Sequence, residues 1–406
     1  MQRKLQNVAR VYAHILTRIY QQNKLTGRLA AAANGARHLT LSVRLNDPAT
    51  MTKALAIDEP LALACRVNRV IAKRVNGLIS YQFELPPNLW IYYTRNDLPA
   101  GLGVGLGERR TVVEYRFDDA PHALFAGTSG SGKTTALASA LIALLTHYSP
   151  AQLHLLIIDQ KNSLSELRNT AHLLAPIATE ASEAINLLKL AHQQFVDRKR
   201  AGNKTAPRLL VVIDEVSLLP DDDETTAALT ALAKYGREYR VHLAIGDQEP
   251  KRKTLPDVMG NLSNRFVGQV DNAQTSALLT GHPGLHAHRL TGKGDFLHVT
   301  GGGNAIRFQV AKATAADFNR IERRPTPPAT AAPAIVTIPE TASPGRPSIA
   351  SELDPKLLAY YVHAARHFSI AQAAQRLGFS RRRHDFYKQF TAEFLDELRA
   401  LRGASG

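Results

Sequence analysis

Residues 122–134 read HALFAGTSGSGKT and contain the pattern G-x4-G-K-[ST]. The apolar run before the pattern predicts a buried strand, and the run rich in alanine and leucine after it predicts a helix. A glycine-rich turn between a strand and a helix presents backbone N–H groups to phosphates, and this context distinguishes a P-loop from a chance match. The stretch therefore predicts a nucleotide site in an α/β fold.

Each residue of the predicted P-loop has a chemical task. Lys133 is expected to reach the β- and γ-phosphates, and the hydroxyl of Thr134 is expected to bind Mg²⁺. The glycines let the backbone wrap around the phosphates. ATP and Mg²⁺ are the cofactors that this pattern implies. The predicted nucleotide-binding residues are Gly127, Thr128, Ser129, Gly130, Ser131, Gly132, Lys133, Thr134 and Thr135.

Two further strands supply the remaining polar groups of the predicted site. Residues 209–215 read LLVVIDE, an apolar run that ends in two adjacent carboxylates. Asp214 is expected to join the Mg²⁺ shell, and Glu215 is expected to act as general base on the attacking water. Gln248 follows another apolar run. It is expected to contact the γ-phosphate, since ligands bind beyond the carboxyl ends of such strands.

Short apolar runs alternate with helical segments over the middle of the chain. The runs predict strands buried on both faces of a sheet, and helices are predicted at 134–146 and 180–199. This pattern is typical of a doubly wound α/β core. Upstream, an alternating pattern predicts strands at 38–45 and 78–85 with a helix at 59–74 between them. The predicted core strands are 124–126, 153–159, 209–214, 241–246 and 265–270.

We predict five segments. A basic N-terminal helix (1–35) precedes a small α+β domain (36–112) and a P-loop ATPase core (113–321), and a Pro/Ala-rich linker (322–353) leads to a small all-α domain (354–406). The last segment has the rhythm of a helix-turn-helix. Its second helix begins with three arginines that are expected to contact DNA, although a helical protein-docking module is the alternative. These arginines are Arg381, Arg382 and Arg383.

The charge of the chain indicates its class of partner. Among 406 residues, 50 Lys and Arg exceed 35 Asp and Glu, which gives a net charge of +15 and favours a polyanion as partner. One cysteine excludes an internal disulfide framework. No apolar run approaches the roughly 18 residues of a membrane span, and we expect a cytoplasmic location. Two more clusters are expected to contact DNA phosphates: Arg198, Lys199, Arg200, and Lys251, Arg252, Lys253.

An ordered series of motifs resembles the FtsK/SpoIIIE family of double-stranded DNA translocases. Besides the P-loop, the resemblance rests on IDQK at 158–161, VIDE at 212–215, HLAIGDQEP at 242–250, NLSNR at 261–265 and GKGDF at 292–296. It covers about residues 36–311. The resemblance implies a RecA-like motor that forms a hexameric ring on double-stranded DNA. It also implies that Arg237 enters the ATP site of the neighbouring subunit, because an arginine of the family has that role.

Two other functions stay open at this point. One is a related ATPase that transfers the DNA of a conjugative plasmid or a phage. The other is an ATP-switched, sequence-specific DNA-binding regulator or initiator, in which the helix-turn-helix does the main work. The sequence names no membrane or recombination partner.

Overall fold

Residues 2–248, 258–301 and 305–324 are described by a computed structural model of the chain. The predicted helix-turn-helix domain and all but the first three residues of the predicted linker lie outside these residues, and so do the two clusters Lys251, Arg252, Lys253 and Arg381, Arg382, Arg383. Residues as far as Arg323 form one unit. The predicted domain boundary between residues 112 and 113 therefore stays a prediction.

The first part of the chain is an antiparallel sheet with helices packed on it. In chain order its elements are α1 (Gln2–Gln22), β1 (Gly27–Asn34), β2 (His38–Leu45), α2 (Met51–Leu55), α3 (Asp58–Cys65), β3 (Val70–Val75) and β4 (Leu78–Glu84). The strands lie in the order β1-β2-β4-β3. The helical spacing of apolar residues in α1 places Leu5, Tyr12 and Leu16 in the same apolar cluster as Leu41 and Phe83 of the sheet.

Two predicted helices in this part extend too far, and both predictions are wrong at their C-terminal ends. The helix predicted over residues 1–35 ends at Gln22, and the alanine-rich stretch that follows is strand β1. Alanine favours a helix in isolation, but β1 pairs with β2 along its length, so the ladder hydrogen bonds decide the conformation. Likewise, the helix predicted at 59–74 ends at Cys65, and β3 follows.

A second, larger sheet carries the P-loop. In chain order, this part begins with β5 (Tyr93–Thr94), β6 (Gly103–Gly107), β7 (Val112–Glu114), β8 (Ala123–Ala126), α4 (Lys133–His147), β9 (Leu153–Ile158) and α5 (Ala181–Arg200). It continues with β10 (Arg208–Ile213), α6 (Asp223–Tyr235), β11 (Val241–Asp247) and β12 (Asn264–Val267). The last described elements are α7 (Ala273–Thr280), β13 (Asp295–Val299), β14 (Ala305–Lys312) and α8 (Ala315–Asn319).

The strand order of the larger sheet is β7-β6-β14-β13-β12-β8-β11-β10-β9, with β5 paired to β14. The strands from β12 to β9 are parallel, and they are the five predicted from the apolar runs, within a few residues at each end. The antiparallel strands β13, β14, β6 and β7 were not among the predicted strands. The fold is mixed α/β, as predicted.

Both faces of the parallel strands are buried. Helix α4 shares an apolar cluster with Phe125, Leu155 and Leu210, which face one side of the sheet. The alternate residues Leu156 and Val211 are also buried, and α5 and α6 contact these strands from the other side. This burial explains why the strands appear in the sequence as continuous apolar runs.

The strand order also determines which loops meet. Strand β11 lies between β8, which leads into the P-loop, and β10, which leads into the acidic pair. Because these strands are parallel, their carboxyl ends lie at one edge, where a ligand can contact all three loops. Within the part of the chain that the structure describes, no helix combines the length and apolar character needed to cross a bilayer.

Candidate nucleotide site

Glycines with positive φ shape the P-loop between β8 and α4. Gly127, Gly130 and Gly132 have φ angles of 149°, 78° and 101°. A Cβ at Gly132 would also lie 2.8 Å from the backbone nitrogen of Gly294, so both conformation and space require glycine there. Helix α4 begins at Lys133. The N–H groups of its first turn have no helical acceptor and are available to an anion, as predicted.

A second glycine-containing loop, residues 292–294, supports the P-loop. The backbone N–H of Gly294 donates to the carbonyl of Ser131 at 2.6 Å, and that of Lys293 donates to the carbonyl of Gly130 at 3.2 Å. The GKGDF stretch contributed to the sequence resemblance without an assigned task. The structure gives it one, because these two hydrogen bonds fix the carbonyl side of the P-loop.

Lys133 points from the P-loop directly to the acidic pair. Its side chain is 6% exposed, and Nζ donates to the backbone carbonyl of Asp214 at 2.6 Å and to Oε2 of Glu215 at 2.9 Å. The Oδ1 atom of Asp214 is 3.7 Å from Nζ. The lysine of the predicted P-loop and the two carboxylates predicted after another strand are therefore in one cluster.

Glu215 is the centre of this cluster. Besides Lys133, its Oε2 accepts hydrogen bonds from Nζ of Lys161 at 2.9 Å and from Nε2 of Gln248 at 3.1 Å, and its Oε1 accepts from the backbone N–H of Gln248 at 3.1 Å. Burial alone would raise the pKa of Glu215, but the hydrogen bonds and charges of Lys161 and Lys133 outweigh burial and lower the pKa to about 2. The carboxylate is therefore ionised at neutral pH.

Asp214 has one carboxyl oxygen that lacks a hydrogen-bond donor. Its side chain is buried, and Oδ2 accepts from the hydroxyl of Ser163 at 3.0 Å, whereas Oδ1 has no donor. A buried acceptor of this kind is suited to a cation. No group of three or more His, Cys, Asp or Glu in the described ranges could hold a metal by itself. The residues fit a Mg²⁺ that takes most of its ligands from phosphates and water, with Thr134 and Asp214 beside it.

A cleft of about 610 Å³ runs along the P-loop, which is within the size range of small-ligand sites. Thr128, Ser129, Gly130, Gly132, Lys133, Thr134 and Thr135 line it together with Gln248. Gly127 and Ser131 lie buried beneath it. The opposite wall comes from Tyr92, Tyr93, Thr94, Lys293, Gly294, Gln309, Val310 and Lys312.

Arg237 lies far from the nucleotide site of its own chain. It is exposed in the 3-10 turn Gly236–Tyr239, which precedes β11, whereas Gln248 follows β11 at the edge of the cleft. The seven residues of β11 span roughly 23 Å. Arg237 could therefore contact a nucleotide only in another subunit.

The structure contradicts the predicted DNA contact of Arg198. This side chain is 7% exposed, and its NH1 donates to the carbonyls of Tyr239 and Arg240 at 3.0 and 3.3 Å. Burial lowers the pKa of Arg198 to about 10. The arginine joins the end of α5 to the turn before β11. Lys199 and Arg200 are exposed, so their contact with DNA stays a prediction.

Several residues of the site had no predicted task. Lys161 and Ser163 follow β9 and contact the acidic pair after β10, and their position just beyond a predicted strand was the available signal. Arg37, just before β2, is 1% exposed. Its guanidinium donates to Oε1 of Gln309 at 2.7 Å and to the carbonyls of Gly292 and Lys293 at 2.9 and 2.5 Å. No sequence pattern singled it out.

Known proteins are similar to this chain. The family model FtsK/SpoIIIE matches residues 93–201. DNA translocase SftA of Bacillus subtilis is 29% identical over 243 residues, which are 53% of this chain and 25% of that protein. DNA translocase FtsK of Chlamydia trachomatis is 27% identical over 313 residues, which are 66% of this chain and 39% of that protein. The chain thus spans well under half the length of these relatives.

Solved structures with a related arrangement include the pCW3 conjugation coupling protein TcpA with ATPgS, with a TM-score of 0.48 and 20% identity over 74% of this chain and 94% of that one. Another is the cytoplasmic domain of the Thermomonospora curvata Type VII secretion ATPase EccC, with a TM-score of 0.45 and 22% identity over 52% of this chain and 28% of that one. The resemblance found in the sequence is confirmed by the family match, which covers residues 93–201 and therefore includes the P-loop.

Proposed function

We propose that the chain is an ATP-hydrolysing motor with a RecA-like core, which assembles as a hexameric ring and moves along double-stranded DNA. The observation that carries the proposal is the contact of the P-loop Lys133 with Glu215, which Gln248 also contacts. One cluster thus joins a phosphate-binding cation, a carboxylate base and a residue that can respond to the γ-phosphate. The cytoplasmic location expected from the sequence is part of this proposal.

Hydrolysis would use the lysine contact as a switch for the base. When Lys133 turns to the β- and γ-phosphates, Glu215 loses one of the two lysines that lower its pKa. The carboxylate becomes more basic, and Oε2, which has lost one of its three donors, is better able to accept a proton from the attacking water. Mg²⁺ beside Thr134 and Asp214 would neutralise charge that develops on the phosphate oxygens.

Gln248 would transmit the state of the site to the DNA. Its backbone N–H and side-chain amide each donate to a different oxygen of Glu215, so a change at the carboxylate changes the hydrogen bonds of Gln248. In the sequence, Gln248 is followed within a few residues by the basic cluster that begins at Lys251. Basic groups that contact regularly spaced phosphates bind DNA without reading its sequence, as a motor requires.

Arg237 would complete the site of a neighbouring subunit. An arginine near the γ-phosphate stabilises the charge of the transition state, and supplying it in trans makes hydrolysis depend on assembly. The exposed end of α5 belongs to the same surface, because Nζ of Lys199 lies 5.6 Å from the ring centroid of Tyr235 and Lys204, in the loop after α5, forms a 2.6 Å ion pair with Glu238 next to Arg237. Lys199 and Arg200 therefore lie near the proposed subunit interface.

The test is ATP turnover by the purified full chain with and without linear duplex DNA. We expect DNA to increase turnover and Glu215→Gln to abolish turnover while ATP still binds. Equal turnover with and without DNA would contradict the motor. A regulator would instead show sequence-specific DNA binding that survives Lys133→Ala.

A further inference from the structure

The cleft along the P-loop continues beyond the part that phosphates would occupy. Outside the P-loop, the chain segment that leads into β5 contributes Tyr92 to the lining, and β5 pairs with the end of β14 through Tyr93 and Thr94. Tyr92 is 58% exposed, whereas Tyr93 is buried. An exposed aromatic ring thus lines the same cleft as the P-loop, at the end that the segment before β5 forms.

The ring of Tyr92 is supported from behind by a fixed cation. The guanidinium carbon of Arg37 lies 4.9 Å from the ring centroid of Tyr92 and 4.5 Å from that of Trp90. Arg37 itself is buried and anchored by hydrogen bonds to Gln309 and to the carbonyls of residues 292 and 293. Cation–π contact on one face therefore holds Tyr92 in place and leaves its exposed surface to the cleft.

Two polar side chains that line the cleft together with this ring, those of Gln309 and Thr94, are already engaged within the protein. Oε1 of Gln309 accepts from Arg37, and its Nε2 donates to the carbonyl of Lys293 at 3.1 Å. The hydroxyl of Thr94 donates to Asp97 at 3.1 Å. Among these described side chains, the aromatic surface of Tyr92 is what remains for a planar ligand.

We propose that Tyr92 stacks on the base of the nucleotide whose phosphates the P-loop binds, and that this end of the cleft binds the base by stacking. The inference rests on the proposed nucleotide site. Every base has a π face, so stacking tolerates different bases, and ATP and GTP are expected to bind with similar affinity. Tyr92 is then a specificity residue for nucleotides against inorganic phosphate chains.

The experiment measures binding of MgATP, MgGTP and magnesium tripolyphosphate to the full chain by calorimetry, without DNA. Tyr92→Ala is expected to weaken both nucleotides by about five- to a hundredfold, the range of base–aromatic stacking, and to leave tripolyphosphate binding unchanged. Tyr92→Phe, which keeps the ring, is expected to bind all three ligands like the wild type.

Three outcomes would overturn the inference. One is unchanged ATP binding in Tyr92→Ala. Another is an equal loss for ATP and tripolyphosphate, which would show that Tyr92 acts through Arg37 and the P-loop. The third is a wild type that strongly prefers one base. A wild type that binds none of the ligands would refute the proposed nucleotide site as well. A chain that binds both nucleotides through Tyr92 but shows no DNA-stimulated turnover would refute the motor and leave the base site standing.

Discussion

Replacing Arg37 with alanine should weaken phosphate binding, although Arg37 does not itself line the cleft. Arg37 donates to the carbonyls of Gly292 and Lys293, and the loop that contains them donates in turn to the carbonyls of Gly130 and Ser131. Two layers of hydrogen bonds thus connect the segment before β2 to the P-loop. Arg37→Ala removes the first layer and lets the second shift.

The size of the effect follows from the acceptors that lose their donor. The carbonyls of Gly292 and Lys293 each keep a second donor, the N–H of Asp295 and Nε2 of Gln309, whereas Oε1 of Gln309 loses Arg37. A buried acceptor left unsatisfied costs about 1–3 kcal/mol, so we expect a loss of about 1–3 kcal/mol in the free energy of unfolding. Arg37→Lys keeps the charge but cannot reproduce the fork of donors, and it should fall between the wild type and alanine.

Two assays check this prediction. Denaturant unfolding gives the free energy, and calorimetry with magnesium tripolyphosphate gives phosphate affinity. Arg44→Ala is a matched control, because Arg44 lies on β2 and is exposed. Wild-type stability and wild-type tripolyphosphate affinity in Arg37→Ala would refute the reasoning. Tyr92→Ala should affect nucleotides alone, whereas Arg37→Ala, which also removes the support of the Tyr92 ring, should weaken tripolyphosphate as well.

Three other predictions follow from the site and its surroundings. Lys161→Ala should raise the pKa of Glu215 above its value of about 2. Because the base works only when it is ionised, the acidic limb of the pH–rate profile of ATP turnover should move to higher pH. An acidic limb at the wild-type pH would contradict the role of Lys161. Chains with Arg237→Ala or with Glu215→Gln should each be inactive. Mixing the two variants should restore DNA-stimulated turnover, because some interfaces of the mixture combine an intact base with an intact arginine. A mixture that stays inactive would argue against action in trans. Arg198→Ala should lower the free energy of unfolding by about 1–3 kcal/mol and leave the salt dependence of DNA binding unchanged. If α5 contacts DNA, Arg200→Ala should leave the free energy of unfolding unchanged and make the salt dependence flatter. A flatter salt dependence in Arg198→Ala would count against its buried role.

The sequence predicts the nucleotide site because phosphate chemistry imposes local constraints. A P-loop needs glycines and a lysine at fixed spacing, and its acidic partners must follow a buried strand. Each of these requirements is visible within a short stretch of the sequence. The predicted strands of the parallel sheet and the cluster of Lys133, Asp214 and Glu215 followed from them.

Contacts between distant parts of the chain could not be predicted in this way. Arg37 and Gln309 are 272 residues apart in the sequence, and nothing near either of them indicates the other. The strand conformation of β1 depends on its pairing with β2, which overrides the helix propensity of alanine.

The burial of Arg198 can be predicted from the helical spacing of its neighbours in α5. Leu187, Ala191, Phe195 and Arg198 recur at helical spacing and are all buried on one face of α5. That periodicity places Arg198 with the apolar residues, whereas its basic neighbours Lys199 and Arg200 fall on the exposed face. A run of charges at the end of a helix is therefore better divided by face than treated as one cluster.

The most direct test of the central claim, that ATP hydrolysis moves this chain along DNA, is displacement of a third strand bound to a duplex. The wild type with MgATP should remove the third strand at a distance from its loading site, and Glu215→Gln should bind ATP and DNA but leave the strand in place. Displacement by Glu215→Gln equal to that of the wild type, or none by a wild type that hydrolyses ATP on the same DNA, would contradict the claim.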